Sequence, residues 1–159
     1  MQSSGASSAS LLRGLSGLSL YVHLPWCIRK CPYCDFNSHE IKGEVPQEVY
    51  LNALTRDLQA SLPQVWGRTV QTVFIGGGTP KIFGPQAIDT LLKALRSLLP
   101  LSADCEITME ANPGAGRFSQ EATDWQGYRQ AGVTRLSLGV QSFDAASLKA
   151  IGRVHDATD

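Results

Sequence analysis

Four runs rich in β-branched and aromatic residues recur along the chain, each followed by apolar residues at helical spacing. That alternation predicts parallel strands joined by right-handed crossovers, which leaves few architectures open. The strands expected are 18–24 (LSLYVHL), 69–75 (TVQTVFI), 105–110 (CEITME) and 134–140 (TRLSLGV). A first helix opens near Pro46, with Val49, Leu51, Leu54, Leu58 and Leu62 on its apolar stripe. A second lies between Pro85 and Pro100, presenting Ile88, Leu91, Leu92, Leu95, Leu98 and Leu99. A weaker helix is expected over about 119–131, stopped by Gly132, and a last one over 144–151. Such a chain can make a small doubly wound sheet or the first part of a β/α barrel. The placing of its motifs favours the barrel.

Composition narrows the class. The chain has 159 residues, 43% of them hydrophobic and 18% charged, enough for one domain with a real core. Its formal net charge is zero, which gives no electrostatic case for nucleic acid or an anionic membrane as partner. No apolar run approaches the roughly 20 residues of a membrane span. Residues 1–17 are rich in Ser, Gly and Ala and are expected to form a disordered tail. Their single arginine is a poor match to a transit peptide, and no charged segment precedes a long apolar core as in a secretory signal.

The most distinctive stretch is YVHLPWCIRKCPYCDF, residues 21–36, directly after the first strand. Cys27, Cys31 and Cys34 stand in a C-x3-C-x2-C pattern that can converge on one soft metal centre with little loop-closure entropy. Three thiolates are too few for a closed four-cysteine zinc site. They suit an iron–sulfur cluster with one iron left open, although four cysteines is the usual complement. A disulfide framework is not expected from this clustering. Cys105 reads as a small buried hydrophobe at the start of the third strand rather than a fourth ligand.

The other motifs, GGGTP, EANPG and GVQSFD, also follow strands, so four loops are expected at one mouth. Gly76, Gly77 and Gly78 let backbone approach a ligand, or simply make a tight turn. Neither a dinucleotide nor a Walker fingerprint is present. Glu110 ends the third strand, either as an inward carboxylate for a ligand amine or ribose or as a rim charge. Gln141 raises the same question. Arg153 can anchor a ligand carboxylate through its fork of donors, or be a solvated helix-end charge. Tyr21 reads as core, and His23, on the same face, as a hydrogen-bonded structural residue. His39 and His155 read as surface residues.

Taken together, YVHLPWCIRKCPYCDF, FIGGGTP, MEANPG, and LSLGVQSFD followed by IGRVH resemble the radical S-adenosylmethionine (SAM) superfamily. Within it they are similar to the oxygen-independent coproporphyrinogen III oxidase and haem-chaperone group. The resemblance implies an α/β fold, the N-terminal part of a partial (β/α) TIM-like barrel, with residues 18–159 forming a core domain truncated at its C-terminal side. It implies that Cys27, Cys31 and Cys34 hold a [4Fe–4S] cluster whose open iron is chelated by the methionine moiety of SAM. Tyr21, Tyr33, Gly77, Gly78, Thr79, Glu110, Gln141 and Arg153 match SAM-contacting positions. In the family, an electron from the cluster cleaves the sulfonium and yields a 5′-deoxyadenosyl radical.

One departure selects a branch. The oxidases have a further cysteine two residues after the third ligand, where this chain has Phe36. The pattern CPYCDFNSH is similar to the haem-chaperone branch, which implies haem as cargo, haem-receiving respiratory proteins as partners and an electron donor for the cluster. Coproporphyrinogen III oxidase and a non-catalytic metal-binding module are the alternatives, so whether the chain is an enzyme is left open. The expected location is cytoplasmic, or mitochondrial if the tail is a transit peptide.

Overall fold

The computed structural model describes residues 17–113 and 124–153. At its centre lie β1 (Leu18–Leu24), β4 (Val70–Gly77), β5 (Leu101–Ala111) and β6 (Arg135–Leu138), in that spatial order and parallel throughout. Two short strands, β2 (Trp26–Cys27) and β3 (His39–Glu40), form a separate parallel pair. The helices are α1 (Gln47–Val65), α2 (Gly84–Leu98), α3 (Trp125–Ala131) and α4 (Ala145–Ala150), and a 3₁₀ turn, Pro80–Phe83, precedes α2.

Register explains which side of the sheet is covered. Val22, Ile75 and Met109 lie side by side across three strands, and each is buried. With Leu24, Val73 and Ile107 they form one core with Leu51 of α1, Ile88, Leu91, Leu92 and Leu95 of α2, and Tyr128 and Ala131 of α3. The α2 positions fall on one stripe of a 3.6-residue period, so a single helix face seals the sheet. The next row, Tyr21, Phe74, Thr108 and Arg135, points to the opposite face. Tyr21 stacks there on Phe74 at 6.2 Å between ring centroids. Helices α1, α2 and α3 thus share one core on one side of the sheet. That is the layout of a barrel wall, not of a doubly wound sheet with helices on both faces.

Several boundaries differ from the sequence expectation. β5 begins at Leu101, so Cys105 sits mid-strand and is half-buried rather than enclosed. Its pairing to β4 contains an irregularity that hydrophobic pattern does not reveal. Val49 is exposed, because α1 buries mainly Leu51 and packs Leu54, Leu58 and Leu62 at the core margin. Asp124 is non-helical and caps α3 by accepting from the Gly127 amide at 2.7 Å, so that helix starts at Trp125. The expected helical residues 119–123, the tail residues 1–16 and His155 lie outside the described residues. Gly132 ends α3 in the left-handed conformation, as its position predicted. A clamp fixes α3 to the 3₁₀ turn: the Tyr128 hydroxyl donates to the Lys81 carbonyl at 2.8 Å, and the Lys81 ammonium lies 4.0 Å from the Trp125 ring centroid.

Candidate functional site

Parallel strands bring their carboxyl ends to one edge, and the loops leaving β1, β4, β5 and β6 enclose a cavity of about 330 Å³ there. The cysteine loop forms one wall. Its ends are pinned by β2 and β3, where the His39 amide donates to the Pro25 carbonyl at 2.7 Å and the Ile41 amide to the Cys27 carbonyl at 2.9 Å. Inside the loop the Cys34 amide donates to the Cys31 carbonyl at 3.0 Å, making a tight turn between those two cysteines. The Lys30 ammonium donates to the carbonyls of Phe36 and Ser38, which ties the returning limb to the outgoing one.

The glycine loop fits against this wall through backbone alone. The Gly78 amide donates to the Leu24 carbonyl at 2.9 Å and the Thr79 amide to the Trp26 carbonyl at 2.7 Å. A Cβ on Gly78 would stand only 2.4 Å from the Trp26 carbonyl oxygen, so no other residue fits without displacing the chain beside Cys27. Gly77 has φ +119° and donates its amide to Glu110 Oε2 at 3.0 Å. The Glu110 carboxylate is therefore turned to the cavity and held by the motif next to it; it is not a rim charge.

Arg153 closes the opposite side. One of its terminal nitrogens donates to Asn112 Oδ1 and to the Gly139 carbonyl, both at 2.6 Å. The other reaches Cys31 Sγ and the Tyr33 hydroxyl, both at 3.4 Å. Its buried Nε has no partner among the described residues. Arg29 donates to the Gly152 carbonyl at 2.8 Å, so the cysteine loop and the segment after α4 are joined twice. Gln141 is a non-glycine residue with φ +63°, a conformation costing about 1–2 kcal/mol that the surrounding loop must enforce.

Cys27, Cys31, Cys34, Tyr33, Gly77, Gly78, Thr79, Glu110, Gln141 and Arg153 all line the cavity. Tyr21 does not. It is 55% exposed on the open sheet face, where its hydroxyl donates to His23 Nδ1 at 2.8 Å, so it is not the core residue expected. Burial, and next the nearby Glu110 charge, raise its pKa. The second His23 nitrogen donates to the Asn37 carbonyl at 2.8 Å, which gives this histidine the structural role expected of it. Sequence reasoning missed Asn112, which receives Arg153 and donates to Thr79 Oγ1 at 3.3 Å. Its place just beyond a strand end, before Pro113, was the available signal. It also missed Arg29, Lys30 and Ser38, whose contacts exist only once the loop has closed.

All four cysteines are free thiols. Burial pushes the Cys27 thiol above its ordinary value, the hydroxyls of Ser38 and Thr79 counter this as donors, and the other two cysteines reinforce it. Among the described residues no three His, Cys, Asp or Glu side chains surround a point as a single ion requires. The donor set fits a cluster that takes one thiolate per iron over a wider face. Beside it, Glu110 and Arg153 present opposite charges to the same cavity, a pairing suited to a ligand carrying both an ammonium and a carboxylate. No helix among the described residues is long and apolar enough to cross a membrane.

Comparison with known proteins is consistent with this geometry. The family model of the Radical SAM superfamily matches residues 21–159. The Heme chaperone HemW of Escherichia coli (strain K12) is 54% identical over 141 residues, which cover 89% of this chain and 36% of that protein. The Heme chaperone HemW of Bacillus subtilis (strain 168) is 37% identical over 142 residues, covering 89% of this chain and 36% of the relative. A Bos taurus relative, radical S-adenosyl methionine domain-containing protein 1, mitochondrial, is 38% identical over 146 residues, covering 92% and 32%. Among solved structures, coproporphyrinogen III oxidase (HemN) from Escherichia coli, described as a radical SAM enzyme, superposes with a TM-score of 0.75 at 30% identity. That match covers 95% of this chain and 35% of the other. The chain therefore spans about a third of the length of these relatives.

Proposed function

The chain belongs to the radical SAM superfamily, and from that premise we propose that it is the cofactor-binding part of a haem-chaperone-type protein. In this reading Cys27, Cys31 and Cys34 hold a [4Fe–4S] cluster, and SAM occupies the cavity between the cysteine loop, the glycine loop and Arg153. The supporting observation is the convergence of these separately encoded motifs on one cavity. Glu110, oriented by the Gly77 amide, would receive the ligand ammonium. Arg153, which lines the cavity, would approach the carboxylate. Tyr33 and Gln141 lie on the walls facing the same space, while Gly78 and Thr79 keep the glycine loop against the strand that leads to Cys27.

When bound, the cluster supplies the electron that family chemistry uses to cleave the sulfonium of SAM. The protein's own contribution is to hold the ligand's charged ends and to limit water around the thiolates. The similarity to heme chaperones supports haem as cargo, and in this reading respiratory proteins are the recipients and an electron donor serves the cluster. Phe36 favours this reading over the oxidase. It is 63% exposed and lines the cavity, so the position of the oxidases' extra cysteine carries a phenyl ring beside the cluster site.

Anaerobic reconstitution with iron and sulfide, followed by absorption and EPR spectra, tests the cluster. The expected result is a [4Fe–4S] signal that changes when SAM is added. The full-length protein is expected to bind haem stoichiometrically and to leave coproporphyrinogen III unconverted. Formation of protoporphyrinogen would overturn the chaperone reading in favour of the oxidase. Absence of any cluster signal would favour a structural metal-binding module.

A further inference from the structure

Ser38 is one of the few buried polar residues, at 2% exposure, and no strand motif or spacing rule singles it out. The fold delivers it to the cysteines. β3 begins at the next residue and pairs with β2, so the loop returns directly beneath Cys27. The Ser38 amide donates to the Phe36 carbonyl at 2.7 Å, and Lys30 holds the Ser38 carbonyl at 3.1 Å. With its backbone held on both sides, the side chain points inward. Its Oγ lies 3.6 Å from Cys34 Sγ.

A thiolate has no proton to give. Once Cys34 is deprotonated to bind iron, the hydroxyl of Ser38 must be the donor in this contact. Hydrogen bonds to ligand sulfurs disperse the extra negative charge of the reduced cluster and so raise its potential. We infer that Ser38 is a positioning residue of the cluster site, whose hydroxyl donates to the sulfur of Cys34 and raises the reduction potential of the bound cluster. This rests on the cluster assignment proposed above and adds to it a tuning group outside the ligand set. Lys30 acts one step further out, by holding the carbonyl of Ser38 and so the direction of its side chain.

The test is an anaerobic redox titration of the reconstituted protein followed by EPR, with iron and sulfide measured on each sample. The variants are Ser38→Ala, Ser38→Gly and Ser38→Thr. The first two are expected to hold as much iron as the wild type but to titrate at a more negative potential, and Ser38→Thr to titrate with the wild type. A wild-type potential in either hydroxyl-free variant overturns the inference. If both of those variants lose the cluster, Ser38→Thr decides: a wild-type potential there supports the donor, and a shifted potential or a lost cluster refutes it. Failure of the wild-type protein itself to form a cluster would instead remove the assignment of Cys27, Cys31 and Cys34.

Discussion

Replacing Gly78 by alanine puts a methyl group where the structure has backbone. The added Cβ would lie 2.4 Å from the Trp26 oxygen, 2.7 Å from the Trp26 carbonyl carbon and 2.8 Å from the Pro25 carbonyl carbon. None of these atoms can rotate away, so the glycine loop and the β1–β2 corner must separate. Overpacking of this kind costs about 1–3 kcal/mol. Separation also weakens the Gly78–Leu24 and Thr79–Trp26 hydrogen bonds, each contributing about 0.5–1.5 kcal/mol. The expected destabilisation is about 2–5 kcal/mol, which lowers a urea midpoint by about 1–2.5 M for a slope of about 2 kcal/mol per M. Gly43→Ala is the control: it has φ +113° but no atom within 4 Å of the added methyl, so only backbone strain of about 1–2 kcal/mol applies. Because Trp26 adjoins Cys27, Gly78→Ala is also expected to lower cluster yield on reconstitution, whereas Gly43→Ala is not. A midpoint drop for Gly78→Ala no larger than for Gly43→Ala would refute the steric reasoning.

Alanine at Cys27, Cys31 or Cys34 is expected to abolish the cluster in iron and sulfide assays. Cys105→Ala, on a strand away from the cavity, is expected to retain it, and cluster loss there would show that the ligand set is wrong. Glu110→Gln keeps an acceptor for the Gly77 amide but removes the charge offered to a ligand ammonium. A charge-assisted hydrogen bond contributes about 1.5–3 kcal/mol, so SAM affinity by calorimetry should fall about 10- to 100-fold with the fold unchanged. Unchanged affinity would take Glu110 out of the site. Burial raises the pKa of Tyr50, and burial with the Glu110 charge raises that of Tyr21, both from 10.0. A raised acid contributes stability that is present below 10.0 and lost as pH climbs through the folded-state value. Lys81, lowered from 10.5 by burial, works in the opposite direction until that pH is reached. The urea midpoint of the apo-protein is therefore expected to fall most clearly above pH 10.5, and a flat or rising midpoint there would contradict the tyrosine argument.

Much of the architecture was legible in the chain because strand and helix periodicities are local. The 18–24 strand matches β1 residue for residue, and Pro85 and Pro100 bracket α2 because each constrains its own backbone. The cluster motif and the glycine loop were legible for the same reason: their chemistry is written in adjacent residues. Length and start of β5 were not, since its first residues pair across an irregularity that depends on β4. Tyr21 was misplaced because alternation shows which residues share a face but not which face the helices will cover.

The sequence by itself determined the parallel order of elements, the three-cysteine loop, and the family through motifs carried at successive strand ends. Tertiary structure alone decided which groups stand around that loop. Arg153 reaches Cys31 from 122 positions away and Asn112 from 41, because α4 returns to the sheet edge. Such contacts bring together atoms separated along the chain by arbitrary lengths, and no short-range pattern of residue types encodes them. The choice between a tight glycine turn and a working one was also made in three dimensions. Gly78 is required by the Trp26 carbonyl that it faces, and Gly77 turns its amide to a carboxylate on the neighbouring strand.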